Sequence, residues 1–183
     1  MTLEKPMGDM TENILHRWMF EEPEKHEAEL ATLTSAGAFI MGRNMFGPKN
    51  LQNDPEWKGW WGDNPPYHGP VFVLSYSERE PITMEGGTTF TFVTDGIEEA
   101  FRLAKEAAGD KDIAISGGAN TINQYLAAGL IDELWLHIAP AFVGKGQRLF
   151  LDMPEGLHLK PVEARTTELV THIKYSVDNT HVH

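Results

Sequence analysis

The segment Ile113–Asn120, with the sequence IAISGGAN, combines residue types that suit phosphate binding. A short apolar run ends at Gly117 and Gly118 and continues directly into an amphipathic segment. Glycines let the backbone approach a ligand closely, and the free N–H groups and positive dipole end of a following helix favour an anion. These residues predict a site for a cofactor that carries a pyrophosphate. They are equally compatible with a simple tight turn between a strand and a helix, since the third glycine of a G-x-G-x-x-G fingerprint is absent.

A second junction of this kind is predicted earlier in the chain. The residues AFIM (38–41) are typical of a short buried strand, and Gly42 and Arg43 then open a brief helical turn through Phe46. The chain carries 15 basic and 27 acidic residues, a net charge of −12. An anionic ligand must therefore be met by individual basic side chains and backbone amides, and Arg43 and Arg148 are the candidates.

Alternating helices and strands are predicted to position these junctions. The periodicity of apolar residues predicts strands at 71–76 and 88–93 and helices at 24–36, 96–108 and 119–128. The first helix is expected to bury Ala28, Leu30, Ala31, Leu33 and Ala36, and the second to bury Ile97, Ala100, Phe101, Ala104 and Ala108. Asp95 followed by Glu98 resembles a capping box, although Asp-Gly also signals a turn.

The C-terminal third of the chain has a different pattern. A strand is predicted in ELWLHIAPAF (133–142), and the alternating runs 157–165 and 168–177 are typical of an antiparallel hairpin. Strands separated by helices, followed by consecutive strands, predict an α/β chain with a mixed, mostly parallel sheet and flanking helices. The segment from Gly47 to Pro70 is predicted to be a long ordered loop that carries Trp57, Trp60 and Trp61.

The composition limits the class of protein. A chain of 183 residues with 41% apolar content is expected to form one domain, assigned here to residues 1–183. The acidic charge makes nucleic acid and anionic membranes poor partners, and no apolar run approaches signal-peptide or membrane-span length, which is compatible with the cytoplasm. Without cysteine, thiolate catalysis and cysteine-ligated metal sites are excluded. No metal is predicted, because the only notable pair, His181 and His183, lies in the C-terminal tail.

Four segments in order resemble the family built on the C-terminal reductase domain of the bifunctional riboflavin-biosynthesis deaminase/reductase, which has the dihydrofolate-reductase-like three-layer fold. They are FIMGRNMF (39–46), TFTFVTDGIEEAF (89–101), ISGGANTINQYLAAGLIDELWLHIAP (115–140) and FVGKGQRLF (142–150). The resemblance spans roughly residues 15–175. It implies a stand-alone NADPH-dependent reductase that forms a homodimer and acts on a small heterocyclic or sugar-linked substrate.

The resemblance also implies where the cofactor binds. The residues that meet its pyrophosphate and nicotinamide ribose are Ser116, Gly117, Gly118, Ala119, Asn120 and Thr121. The partner junction is formed by Gly42, Arg43 and Asn44, where Arg43 would contact the 2′-phosphate that distinguishes NADPH from NADH. A surface ion pair is the other interpretation of Arg43. The adenosine side would involve Leu74, Ser75 and Asp95.

The substrate side is less defined. Aromatic faces suit a planar ring, so the candidates are Trp18, Phe20, Trp57, Trp60 and Trp61, with Arg148 for a substrate phosphate; core packing or loop anchoring are the alternatives for these residues. His137 either titrates near neutrality or is satisfied within its sheet. Relatives usually begin with a strand that carries Ser-Leu-Asp-Gly, which is not found here, so we expect another segment at that sheet position and name no catalytic residue. A nucleotide-binding or interaction protein without catalysis is the alternative function.

Overall fold

The main sheet of the protein contains four parallel strands and one short antiparallel edge strand. The computed structural model describes residues 14–48, 51, 54–144 and 146–179. In this part of the chain the strands are β1 (Ala38–Gly42), β2 (Pro70–Leu74), β3 (Ile82–Thr83), β4 (Thr89–Val93) and β5 (Ile113–Gly117). Their order in the sheet is β3-β4-β2-β1-β5; β4, β2, β1 and β5 run parallel, and β3 pairs antiparallel with β4.

Alternate residues of the parallel strands build a core on each face of this sheet. On one face, Ala38, Ile40 and Phe72 pack with the helices, and on the other Phe39 and Val71 pack with the long loop. The central strands β1 and β2 are short apolar runs buried on both sides, as expected for a parallel sheet. The result is the predicted layered α/β arrangement.

Five helices accompany the strands in the described residues: α1 (Arg17–Glu21), α2 (Glu27–Thr32), α3 (Arg43–Phe46), α4 (Gly96–Ala108) and α5 (Ala119–Ala127). Single 3-10 turns lie at Pro23–Lys25 and Glu85–Gly87. Helix α4 has the predicted bounds and buries Ala100, Ala104 and Ala108, so the predicted stripe is confirmed. Its C-terminus is set by Gly109, which has a φ of 60°.

Helix α2 differs from its prediction. It is shorter than 24–36, and its buried residue is Glu29, whereas Ala28, Ala31 and Leu33 are exposed. The predicted apolar face is therefore wrong. Glu29 turns inward because it pairs with Arg165 of the second sheet, an interaction that lies 136 residues away along the chain and gives no local periodic signal.

The second sheet is antiparallel, with the order β6-β8-β7, and it contains the predicted C-terminal hairpin. Its strands are β6 (Glu133–Ile138), β7 (His158–Thr166) and β8 (Thr171–Asp178). In the part of the chain that the structure describes, β5 is one of the two outer strands of the first sheet and β6 is one of the two outer strands of the second, and no strand joins β5 to β6. This is the sheet position at which another segment is expected.

Candidate functional site

The predicted cofactor-binding residues lie along one edge of the main sheet. Four parallel strands end there, at Gly42, Leu74, Val93 and Gly117. The carboxyl ends of parallel strands are where open α/β sheets bind their ligands. The structure therefore places the three predicted groups, which are far apart in sequence, on one side of the sheet: Gly42, Arg43 and Asn44; Leu74, Ser75 and Asp95; and Ser116 to Thr121.

The two strand–glycine–helix junctions approach each other closely. A Cβ atom added at Gly42 would lie 2.5 Å from Oγ1 of Thr121, which is buried in α5. Gly117 has a φ of 117° and faces the sulfur of Met45, at 3.5 Å from where a Cβ would be. The Gly117–Gly118 peptide bond is cis. Glycine at position 42 is thus required by the approach of α5, and at position 117 by the backbone conformation.

Gly118 lies at the open side of the same junction. It is the N-cap of the nine-residue helix α5, has no side-chain capping partner, and an added Cβ would meet no atom within 4 Å. Asn120 is exposed in the first turn of the helix, and Ala119 is half-buried. An open glycine, free helix N–H groups and an exposed amide side chain match the needs of a bound anion.

Of the other predicted cofactor residues, Arg43 and Ser75 make local hydrogen bonds. Arg43 is half-buried and donates from Nη1 to Oδ1 of Asn44 at 3.1 Å. Oγ of Ser75 donates to the carbonyl of Ser77 at 2.9 Å, an arrangement that fixes the turn after β2. Asp95 is the exposed N-cap of α4, but its side chain makes no capping hydrogen bond, so the capping-box interpretation is wrong. The φ of 88° at Gly96 instead supports the turn.

The tryptophans of the long loop pack mainly against the core. Trp57 donates from Nε1 to the carbonyl of Phe46 at 3.0 Å and contacts Trp60 edge-on, with ring centroids 4.5 Å apart. Trp61 stacks with Phe90 at 5.9 Å. Trp60 is the most exposed of the three, at 36%. Contacts with the core explain Trp57 and Trp61 without a substrate. Trp60 and Trp61 remain predicted substrate contacts.

Arg79 anchors this loop and was not singled out from the sequence. Its Nη2 donates to the carbonyls of Pro55, at 2.6 Å, and Trp57, at 2.5 Å. Its guanidinium lies over the rings of Phe46 and Phe92, at 5.8 and 5.3 Å from their centroids. A lone arginine in a charged segment carries no sequence signal for this role, because its partners are backbone carbonyls of a distant loop.

Trp18 belongs to a different cluster from the tryptophans of that loop, since it packs against three histidines. Its ring centroid is 5.3 Å from that of His26, 5.0 Å from His137 and 4.9 Å from His172, and the side chain is 2% exposed. The neighbouring Phe20 is exposed. The predicted substrate residues Trp18 and Trp61 are therefore not brought together.

Arg148 follows the glycine loop after β6. Its side chain is exposed, and its carbonyl accepts a hydrogen bond from Nδ2 of Asn123 at 3.3 Å, while the N–H of Phe150 donates to Oδ1 of Asn123 at 2.9 Å. The loop is thus attached to the N-terminal half of α5, which begins beside Gly118. The guanidinium of Arg148 remains a predicted substrate contact.

Burial lowers the pKa of two of the histidines around Trp18, His137 and His172. Burial, together with the neighbouring His172, lowers the pKa of His137 to about 4, so His137 does not titrate near neutrality. Burial is also the main cause that lowers the pKa of His172. Burial acts to raise the pKa of Glu29, but hydrogen bonds from Arg165 and the backbone outweigh it and leave that pKa below its ordinary value.

Three of these side chains have the spacing of metal ligands. Ligand atoms of His26, Glu29 and His172 lie within 4.8 Å of one another. However, Nη2 of Arg165 lies 2.5 Å from Oε1 of Glu29 and 3.1 Å from Nδ1 of His26. A permanent cation already fills the position between these atoms, so the group is a closed polar cluster. The pair of histidines noted in the tail, His181 and His183, lies outside the described residues.

The chain matches a known family. The family profile of the RibD C-terminal domain matches residues 10–173, and the chain belongs to that family. The uncharacterised protein YyaP of Bacillus subtilis strain 168 is 29% identical over 155 residues, which cover 81% of this chain and 77% of YyaP.

Solved structures have the same fold. A protein of Shewanella sp. PV-4 that is provisionally assigned to riboflavin biosynthesis is 26% identical, with a TM-score of 0.57 and coverage of 81% of this chain and 78% of that one. Dihydrofolate reductase of Enterococcus faecalis, in complex with NADP(H), is 13% identical with a TM-score of 0.50 and coverage of 85% and 82%. The fold is thus dihydrofolate-reductase-like. No helix among the described residues is long and apolar enough to cross a membrane.

Proposed function

We propose that this protein is an NADPH-dependent reductase that transfers hydride to a small heterocyclic or sugar-linked substrate, as a stand-alone homodimeric member of its family. The observation that carries the proposal is the pair of contacting glycine junctions, with Gly42 against Thr121 and Gly118 open. Family membership and the NADP(H) complex of the Enterococcus dihydrofolate reductase support the choice of cofactor.

The residues at the strand ends fit the parts of that cofactor. Free N–H groups at the start of α5, beside Gly118, would hold the pyrophosphate, with Asn120 and Thr121 as side-chain donors. Arg43 would hold the 2′-phosphate, since a guanidinium forms strong paired hydrogen bonds to phosphate oxygens. Ser75 and Asp95, at the ends of β2 and β4, would contact the adenosine.

NADPH, when bound, supplies a hydride from its C4 carbon to an electrophilic carbon of the substrate. The protein's contribution is to fix the distance and angle between the two reacting groups and to exclude water. The substrate also receives a proton at the adjacent atom. The aromatic rings and Arg148 are the proposed substrate contacts.

The cofactor is tested by thermal unfolding with NADPH and, separately, with NADH. A ligand present at about 100 times its dissociation constant adds about 2.7 kcal/mol to the folded state. We expect a clear rise in Tm with NADPH and little with NADH. Arg43→Gln should weaken NADPH binding by about 10- to 100-fold, because one charged hydrogen-bonding group contributes about 1.5–3 kcal/mol, and should leave NADH unchanged.

Arg102→Gln is the matched control, since Arg102 is an exposed arginine of α4 that pairs with Glu99 and Glu106. It should bind NADPH like the unchanged protein. No shift in Tm with either nucleotide would contradict the reductase proposal.

A nucleotide-binding protein without catalysis is the second candidate. It is favoured by one observation, that the predicted substrate residues Trp18 and Trp61 pack in separate clusters instead of lining one pocket. Oxidation of NADPH in the presence of candidate pterins and pyrimidines separates the two functions. Binding without turnover across such a series would favour the second.

A further inference from the structure

A line of three hydrogen-bonded imidazoles connects the start of helix α2 to the outer strand of the second sheet. We call His26, His137 and His172, with Arg165 and Glu29, the histidine cluster. Nδ1 of His137 lies 2.6 Å from Nδ1 of His172, and Nε2 of His172 lies 2.9 Å from Nδ1 of His26. Nη2 of Arg165 lies 3.1 Å from the same Nδ1 of His26.

Arg165 determines which nitrogen of each ring carries the proton. A guanidinium is a donor only and stays charged in proteins, so Nδ1 of His26 must accept its hydrogen bond. The same atom then accepts from Nε2–H of His172, which leaves Nδ1 of His172 as an acceptor. Nδ1 of His137 must therefore carry a proton and donate to it. One arginine thus fixes three tautomers in sequence.

The two ends of this chain of imidazoles differ. At one end, Nε2 of His26 carries a proton, is completely buried and has no partner among the described residues. At the other end, Nε2 of His137 keeps its lone pair. No described residue donates to it, the ring is half-buried, and β6 is an outer strand of its sheet in the described chain. His137 therefore presents a preset hydrogen-bond acceptor.

Burial, more than the surrounding charges, lowers the pKa of His137. His26 and Glu29 come from the start and middle of α2, Arg165 from β7 and His172 from β8; the neighbouring ion pair between β6 and β8 is Glu133 with Lys174, at 2.8 Å. Glu29 is the only carboxylate within the cluster, and Arg165 already binds it. Burial of the ring and the neighbouring His172 and His26 oppose a charged His137 more strongly than Glu29 favours one.

The segment that follows β6, the strand that carries His137, is attached to a helix of the proposed cofactor edge. Ile138 ends the strand, and the segment that follows returns to Asn123 of α5 through the hydrogen bonds of Arg148 and Phe150. Helix α5 begins next to Gly118. The segment that leaves His137 is therefore hydrogen-bonded to the helix that begins at the open junction.

We propose that His137 is a substrate-recognition residue whose Nε2 accepts a hydrogen bond from an N–H group of a heterocyclic substrate, and that Arg165 sets its tautomer through His172 and His26. The recognition role rests on the proposed reductase function. The tautomer assignment stands on the geometry of the histidine cluster alone. A neutral acceptor selects amide-like N–H donors over anions and N-alkylated rings.

The tautomers are measured by long-range proton–nitrogen NMR correlation on protein labelled at histidine. The chain has 8 histidines, and the spectrum of His137→Gln identifies His137 by difference. We expect Nδ1–H at His137 and Nε2–H at His172 and His26. Arg165→Lys should keep this pattern, because lysine is also a donor only, whereas Arg165→Met should mix or reverse it. An Nε2–H at His137 in the unchanged protein would overturn the proposal.

Recognition is tested with uracil, which carries two ring N–H donors, against 1,3-dimethyluracil, which carries none. Uracil should shift the nitrogen resonance of His137 Nε2, and 1,3-dimethyluracil should not. His137→Gln places an amide oxygen near the Nε2 position, and His137→Asn places its amide near Nδ1 only. Uracil binding should weaken about 3- to 10-fold in the Asn variant, the value of one neutral hydrogen bond, and less in the Gln variant.

The outcomes separate this inference from the proposed function. If NADPH does not shift Tm but the tautomers are as expected, the reductase proposal is contradicted, while the assignment of Nε2 of His137 as a hydrogen-bond acceptor stands. A normal NADPH shift, with no response of His137 Nε2 to uracil at its solubility limit, would overturn the recognition role alone.

Discussion

At the scale of single residues, two glycines of the candidate site are constrained in opposite ways. Gly42 has no room for a side chain because Thr121 lies where its Cβ would be, and Gly118 has nothing within 4 Å. Glycine at 42 is therefore explained by packing between elements, while glycine at 118 is not. Space for the proposed cofactor would account for Gly118.

This contrast gives a paired prediction. Gly42→Ala should lower the free energy of unfolding by about 1–3 kcal/mol, as expected when a side chain is forced into a packed contact. Gly118→Ala should change it by less than about 0.5 kcal/mol, as for an exposed substitution, yet weaken NADPH binding at least tenfold. Chemical denaturation and NADPH titration of both variants provide the measurement.

The double variant Gly42→Ala with Thr121→Ala provides a control, since it removes the hydroxyl that the new methyl group at position 42 would meet. The double variant should lose less free energy of unfolding than the sum of the losses in the two single variants. Full NADPH affinity in Gly118→Ala would contradict the assignment of this glycine to the ligand site.

At the scale of elements, helix α2 is attached through charge instead of apolar packing. Glu29 accepts from Nε and Nη2 of Arg165 at 2.8 and 2.5 Å, and it is the buried residue of the helix. Short helices of six residues are unstable by themselves, so tertiary contacts must hold α2 in place. The Glu29–Arg165 pair thus joins α2 to strand β7.

Glu29→Ala should therefore destabilise the protein by about 2–3 kcal/mol. Breaking a buried pair leaves the remaining charge uncompensated, at a cost of about 3–5 kcal/mol, and the side chain of Arg165, which is 38% exposed, recovers part of this from water. Glu27→Ala, at an exposed position of the same helix, should cost less than about 0.5 kcal/mol. Equal losses in the two variants, measured by urea denaturation, would show that the pair is not what holds α2.

At the scale of the whole molecule, the buried histidines couple stability to pH. The ordinary pKa of histidine is 6.5 and burial lowers that of His137 to about 4, so between these values the unfolded chain binds more protons than the folded one. This contribution is fully present above about pH 6.5 and is lost as the pH falls to about 4. The lowered pKa of His172 acts in the same direction.

The free energy of unfolding should therefore rise between about pH 4.5 and 6.5, with up to about 3 kcal/mol from His137. His137→Gln removes this titrating group and should flatten the dependence over the same range. Denaturation at a series of pH values compares the two proteins. An equal dependence of the free energy of unfolding on pH in the unchanged protein and the variant would contradict a lowered pKa at His137.

Local pattern determined much of the architecture. The four parallel strands of the main sheet, the stripe of α4, the C-terminal hairpin and both glycine junctions were predictable because period, propensity and glycine placement act between residues close in sequence. The short antiparallel strand β3 was not predicted. The order of the sheet then follows from where these elements pack.

Only the tertiary structure decided the rest. The inward turn of Glu29, the anchoring role of Arg79 and the low pKa of His137 depend on partners that lie up to 136 residues away, such as Arg165. Desolvation and hydrogen bonding are properties of a three-dimensional environment, so no spacing in the chain reveals them. The sequence by itself determined the class of fold and the glycine-lined edge; the folded chain decided that Gly42 closes against Thr121, that Gly118 stays open, and that three histidines meet one arginine.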